Sequence, residues 1–558
     1  MLKRFALVLA AAALLTLPVG ADQPAGQPRS DLQLVEATVS ELQHALRTGL
    51  ITSEQLVQRY LDRIEVYEPL VNAFIHVNPN ALDEARARDA ERRRGVPTGP
   101  MFGIPVLLKD NIDTADMPTT AGSIALEGSI PPDDAFIAAK LRAAGAIILG
   151  KATLTEFANF IAIGMPAGYS SLGRFGFNPY DPRELPGGDG RPVLTTGGSS
   201  SGSGIAPAAN LVAVAIGTET SGSILSPGTA NAVVGIKPTV GLVSRDGILP
   251  ITADQDTAGP LARTVADAAA LLGTIAGFDA QDPATAPCLM PGNCFSDYTQ
   301  FLDKNALKKA RIAVPHVPYW NGFSAAQAQI MNDAIAALRA EGAYVADPYE
   351  IPNQAAISAF GICVSYPPPA NCSSVLMYGQ KHDLNAYLAA RQPAPVQTLS
   401  DIIAFNAAYP DPSIALKYGQ AIFLAADQLD VTPGSADTTR YLADRANDLA
   451  LTRTGLDAVY NGPDGIEGTA DDFDAILFPQ NRGAAAPAKA GYPSIVVPGG
   501  FTPPSGQVIN PAPFGVTFSG RAFSEPKLIA IAYAFEQATK HRVPPASTPP
   551  LPSDYVRR

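Results

Sequence analysis

The chain has 558 residues, 46% of them hydrophobic and 16% charged, which is enough apolar content for a large buried core. Its formal net charge is −12, and the densest basic run, Arg92-Arg93-Arg94, follows the acidic Asp89 and Glu91. That balance argues against a nucleic-acid partner.

The N-terminus has the layout of a secretory leader. Lys3 and Arg4 form a charged start, Phe5 to Leu17 an apolar run, and Val19-Gly20-Ala21 a small-residue cleavage site. The apolar run is short of the ~20 residues that a membrane-spanning helix needs. We expect a signal peptide over 1–21, a mobile start over 22–35, one large domain over 36–545 and a Pro-rich tail over 546–558. The mature protein is expected to be periplasmic or secreted, with no membrane attachment, as a monomer or homodimer. In an oxidising compartment the near neighbours Cys288 and Cys294, and Cys363 and Cys372, are expected to close local disulfides.

Helix signals come first along the chain. Ser40 with Gln43 forms a possible capping box. Ser53 opens a helix whose apolar face is Leu56, Val57, Tyr60, Leu61 and Ile64. Ala81 to Arg94 is a third helix. Ile104–Leu108 reads as a buried strand, Ala135–Ala144 as a helix and Ala146–Leu149 as a strand. Leu211–Ile216 is a strand or a buried helix end. Val265–Ile275 is a helix, Ile312–Val314 a strand and Ala325–Arg339 a long helix. Ser400–Ala408, Ile414–Leu429 and Thr438–Thr454 read as helices. Ala475–Phe478, Ser494–Val497 and Val516–Phe518 read as late strands, and Pro526–Lys540 as a closing helix. Helices alternating with continuous apolar strands predict an α/β fold, three-layer α/β/α with a large mixed central sheet.

Two short patterns imitate functional motifs. Gly145 to Lys151 resembles a phosphate loop, but Ala152 stands where a Ser or Thr should hold magnesium. The residues between its glycines are apolar and belong to a strand. Gly198-Ser199-Ser200-Ser201-Gly202 matches a nucleophile elbow, which requires a preceding strand and a catalytic His. What precedes it is Gly/Pro-rich, and none of the five His residues lies in a site-like turn. The loop Asn461–Asp472 carries oxygen ligands, but Pro463 breaks the calcium-loop spacing, so a solvated acidic loop is expected there.

The stretch Thr195–Asn231 is different. Two Gly/Ser turns, Gly197–Gly204 and Thr220–Ser223, flank an apolar element and can bring hydroxyls and free backbone N–H groups together, as acyl transfer requires. Lys109 ends the apolar strand upstream. It is either a Lys that reaches solvent or a desolvated base, and the residues alone leave both readings open.

The set GIPVLLKDN, TTAGS (Thr119–Ser123), GGSSSGSG, AIGTETSGSI and GIKPTVGLVSRDG (Gly235–Gly247) resembles the amidase signature family of serine hydrolases. The likeness runs in order from about Ser53 through FSEPKLIAIAYAFEQ (Phe523–Gln537). GTETSGSI, SRDGILPI and DLNAYL (Asp383–Leu388) are most similar to peptide amidases. The resemblance implies Lys109 as base, Ser199 as bridging serine after a cis peptide bond, and Ser223 as nucleophile. It implies an oxyanion hole of backbone N–H groups from Thr220, Ser221, Gly222 and Ser223. Asp110, Ser123, Gly197 and Gly198 match supporting positions, and Gln255-Asp256-Thr257 matches a family loop of open role. The implied substrate is a small-molecule or peptide amide, with neither metal nor organic cofactor. An ester-preferring hydrolase and an inactive binding protein remain alternatives. Leu225 stands where many relatives carry Arg, and Ser221 where Gly is common, so substrate preference does not transfer.

Overall fold

The computed structural model describes residues 31–391 and 394–557. The expected leader, 1–21, lies outside the described residues, as does most of the expected mobile start. No helix among the described residues is long and apolar enough to cross a membrane.

An eleven-stranded mixed sheet forms the centre. Across it the strands run Tyr344–Ala346, Arg311–Ala313, Ala475–Pro479, Ala512–Ser519, Ser494–Thr502, Val234–Lys237, Thr257–Ala262, Val214–Glu219, Pro105–Lys109, Ile147–Ala152 and Phe74–Val77. Pro105–Lys109 lies parallel to both of its neighbours, whereas Val214–Glu219 and Thr257–Ala262 pair antiparallel. Every residue of Pro105–Lys109, Ile147–Ala152, Val214–Glu219 and Thr257–Ala262 is buried. Strands alternate their side chains between two faces, so both faces are covered, which makes the fold a three-layer α/β/α sandwich. Helices Val265–Ile275, Ala325–Ala340 and Glu525–Thr539 pack together against the sheet, and Ser201–Ala208 packs beside Leu225–Ala230.

Most of the expected elements are present, with informative differences. Gly145 to Lys151 is strand and not anion cradle. The first capping box uses Thr38 and Glu41 and not Ser40 and Gln43. Thr38 Oγ1 accepts from Glu41 N at 3.2 Å and Thr38 N donates to Glu41 Oε2 at 3.0 Å. Gln43 is instead buried, and its amide donates to the carbonyls of Pro100 and Phe102. The helix expected over Ile414–Leu429 is two, Pro412–Ala415 and Ala421–Asp427. Gly419 between them has φ +74°, a left-handed residue that an α-helix does not accommodate.

The end of the expected mobile start is not free. Asp31–Gln33 pairs antiparallel with Tyr555–Arg557. The Pro-rich tail is tied down by Arg63, which is fully buried and donates to Asp554 Oδ2 at 2.6 Å and to the carbonyls of Thr548 and Pro549. A buried charge pair of this kind holds because each partner is also hydrogen-bonded elsewhere; Asp554 Oδ2 also accepts from Leu551 N at 2.6 Å. Both disulfides, Cys288–Cys294 and Cys363–Cys372, are formed. In the loop Asn461–Asp472 the carboxylates turn inward. Asp471 accepts from Asp464 N, and Asp472 from Gly468 N. Among the described residues no group of three or more His, Cys, Asp or Glu side chains is placed to hold a metal ion.

Candidate active site

The strand Pro105–Lys109 delivers Lys109 into the interior, with no solvent exposure. Its Nζ lies 2.8 Å from Ser199 Oγ and donates to Thr218 Oγ1 at 2.9 Å and to Thr218 O at 3.3 Å. Burial pulls its pKa down from 10.5 to about 7, against the opposing pull of the Asp256 and Glu219 carboxylates. Of the two readings left open by the residues, the desolvated lysine is the one observed.

Ser199 follows a cis peptide bond after Gly198. Its carbonyl accepts from Thr155 N at 3.0 Å. Gly197 has φ +66°, and a Cβ there would lie 2.6 Å from the Ser226 backbone. Only glycine fits, because the helix Leu225–Ala230 presses against the first turn at that point. Ser200, the centre of the elbow-like match, is fully committed: its hydroxyl donates to Thr218 O at 3.0 Å and accepts from Thr218 N at 3.2 Å. Ser203 donates to Ile216 O in the same way. A Cβ on Gly202 would meet Ala73 O at 2.2 Å. Much of the Gly/Ser run is thus small so that the helix Ser201–Ala208 can lie close on the sheet, with hydroxyls stapling it to the strand Val214–Glu219.

The second turn follows that strand. Gly222 has φ +89°, which reverses the chain before Ser223. Glu219 Oε2 accepts from Ile224 N at 2.7 Å and Leu225 N at 3.0 Å. The amides of Thr220, Ser221, Gly222 and Ser223 donate to no protein acceptor among the described residues. Their turn is held from outside: Thr220 donates its hydroxyl to Asp256, and its carbonyl accepts from Gln255 Nε2 at 3.2 Å. Asp256 in turn accepts from Ile251 N and Thr252 N. Burial raises the Asp256 carboxyl to about 6, and those hydrogen bonds oppose the rise. Ser223 O accepts from Ser200 N at 3.2 Å, which joins the two turns. Ser223 is 8% exposed and Ser199 1%, so Ser223 is the hydroxyl on the solvent side.

Of the expected residues, Lys109 and Ser199 meet through their side chains, and the Thr220–Ser223 turn joins the Ser199 turn through the Ser200 N to Ser223 O bond, with Gly197 and Gly198 shaping the first turn. Asp110 and Ser123 bond elsewhere. Asp110 lies 3.3 Å from the buried Lys151 and accepts from Thr120 N, clamping the Thr119–Ser123 loop. Ser123 caps the short turn Ile124–Leu126. Leu225 is fully buried against Ala484 and Val496. Three contributors escaped the sequence reading: Thr218, which accepts from Lys109; Asn111, which donates to Thr218 Oγ1 at 3.1 Å; and Glu219. Polar residues at the end of a buried strand need partners, and that was the signal available for them.

The sequence model of the amidase family matches residues 55–392. A crystallised peptide amidase from Stenotrophomonas maltophilia is 41% identical, covering 92% of this chain and 99% of that one, with a TM-score of 0.78. An Arabidopsis thaliana protein named a probable amidase is 39% identical over 92% of each chain. A subunit of the glutamyl-tRNA(Gln) amidotransferase from Microcystis aeruginosa is 32% identical, over 92% of this chain and 99% of that one. The chain belongs to the amidase family, enzymes that hydrolyse carbon–nitrogen bonds.

Proposed function

We propose that the protein hydrolyses the carboxamide of a peptide or amino-acid amide to the carboxylic acid and ammonia, through an acyl-enzyme on Ser223. The observation that carries this reading is the bonding of Lys109. A neutral amine has two N–H donors and one lone pair. Thr218 supplies two acceptors, which leaves the lone pair for the Ser199 hydroxyl. A lysine whose pKa is lowered to about 7 holds enough of that neutral form near neutral pH.

In the forward step Ser199 passes its proton to Lys109 and takes the proton of Ser223. Ser223 Oγ then bonds to the amide carbon. The carbonyl oxygen becomes an oxyanion facing the unclaimed amides of Thr220–Ser223; one such donor typically contributes ~10²–10³ in rate. Collapse breaks the C–N bond, and the proton returns from Lys109 through Ser199 to nitrogen, so ammonia leaves. Water repeats the cycle on the ester and frees the acid. The relay asks nothing of a metal ion or an organic cofactor. The relatives' name of peptide amidase supports the substrate class. We place the reaction outside the cytoplasm, on the leader-like residues 1–21 and the two disulfides. Ammonia release from a panel of amidated peptides and amino-acid amides tests the reading. Turnover by wild type and none by Ser223→Ala is expected; equal turnover by both would overturn it.

A further inference from the structure

Beside the oxyanion turn lies a cavity of about 280 Å³ that the chemistry above does not use. Ser221 forms one end; Tyr319, Ile357, Phe360 and Ile362 form apolar walls, with Arg482 at the edge. Pockets that enclose a whole drug-sized ligand run from ~300 to 1,000 Å³, so this one suits a single large side chain. Arg482 is already committed, donating to the carbonyls of Tyr319 and Asn321 and lying over the Phe323 ring.

The wall that carries Phe360 and Ile362 is built as a closed flap. Gly361–Ile362 pairs in parallel with Cys372–Ser373, and the Cys363–Cys372 disulfide locks that base. A buried ion pair, Lys489 with Asp448 at 2.6 Å, grips both of its strands. Lys489 donates to Phe360 O at 2.7 Å, and Asp448 accepts from the Ser373 hydroxyl. Arg440 donates to Cys372 O at 2.9 Å. So much anchoring on a partly exposed loop holds Phe360 and Ile362 in place on the cavity that Ser221 also lines.

We propose that the disulfide-closed segment Phe360–Cys372 is the specificity wall of the site, and that the cavity takes an apolar, aromatic-sized side chain from the acyl half of the substrate. The assignment rests on the amide-hydrolase reading. Ammonia, the leaving group there, has no side chain, so the acyl half is the only part left to fill an apolar space beside the turn. The walls offer no carboxylate to a cationic side chain, and both cations that line the cavity, Arg482 and Lys489, are already used.

The test compares kcat/KM for two N-acylated amino-acid amides that differ only in the side chain, phenylalanine against alanine. Wild type is expected to favour the phenylalanine amide by about tenfold or more, the scale on which a hydrophobic pocket discriminates. Phe360→Ala, which removes the wall, and Phe360→Trp, which fills the space, are each expected to cut that ratio about tenfold. Cys363→Ala/Cys372→Ala is expected to cut it through KM. An unchanged ratio in the Phe360 variants would overturn the wall, and an unchanged ratio in the cysteine variant would overturn the role of the disulfide. The hydrolase reading is checked apart from these, by fluorophosphonate labelling of Ser223 in the wild-type chain. No label there would overturn that reading and the wall with it, whereas a label with an unchanged ratio overturns the wall alone.

Discussion

The buried lysine makes a quantitative prediction about pH. An ordinary lysine, with a pKa near 10.4, is neutral in only about one molecule in two or three thousand at pH 7. With the Lys109 value pulled to about 7 by burial, about half of the molecules carry the neutral base at that pH, a gain of ~10³. A tenfold change in an ionisation constant corresponds to about 1.4 kcal/mol, so the interior disfavours the charged form by about 5 kcal/mol. The sign follows directly. The relay needs neutral Lys109, so kcat/KM rises about tenfold per pH unit below pH 7 and flattens above it. Stopped ammonia assays on one amide from pH 5 to 10 measure this limb. Lys109→Ala is expected to lose it, to fall ~10²–10⁴-fold at pH 8, and to recover in part as hydroxide rises. A wild-type half-point above pH 9, or the same limb in Lys109→Ala, would refute the reasoning.

Three further outcomes follow. Ser199→Ala should retain a free Ser223 hydroxyl yet lose most turnover, because the proton path to Lys109 is cut; wild-type kinetics in that variant would remove Ser199 from the path. Lys109→Met should lose activity and change the pH dependence of stability. Between about pH 7 and 10.5 the unfolded wild-type chain binds the Lys109 proton and the folded chain does not, so its stability falls by ~1.4 kcal/mol for each pH unit of acidification. Denaturation across pH should therefore show the variant gaining on wild type from pH 10 down to 7, with no further gain below. Gly202→Ala drives a methyl against the Ala73 carbonyl at 2.2 Å, so urea titration should show a loss of about 1–3 kcal/mol.

How much of this was legible in the sequence varied with the physics of each part. Buried strands such as Pro105–Lys109 and helices such as Val265–Ile275 announce themselves through continuous or periodic apolar residues; the helix stands where the pattern put it and the strand one residue later than the expected Ile104–Leu108. The break between Pro412–Ala415 and Ala421–Asp427 did not, because a single glycine with positive φ is tolerated inside an apolar run. The pairing of Asp31–Gln33 with Tyr555–Arg557 joins the two ends of the described chain, and a three-residue strand carries almost no local signal. At the site, the convergence of Lys109, Ser199 and the Ser223 turn was readable only through resemblance. Composition alone left seven hydroxyls in two turns equivalent. What separated them was hydrogen bonding: Ser200 and Ser203 are tied to the neighbouring strand, and Ser199 is bonded to Lys109. The partners of Lys109 at Thr218, and the Glu219 and Asp256 carboxylates that brace the turn, depend on side-chain directions that spacing does not reveal.

The most direct test of the central assignment is chemical. A fluorophosphonate reacts with an activated serine hydroxyl and leaves a mass tag that peptide mapping places on one residue. The arrangement of Lys109, Ser199 and the unclaimed amides of Thr220–Ser223 predicts a single adduct on Ser223, lost in Ser223→Ala and slowed in Lys109→Ala. An adduct on Ser199 or Ser200, or an unlabelled chain that still hydrolyses amides, would contradict the account.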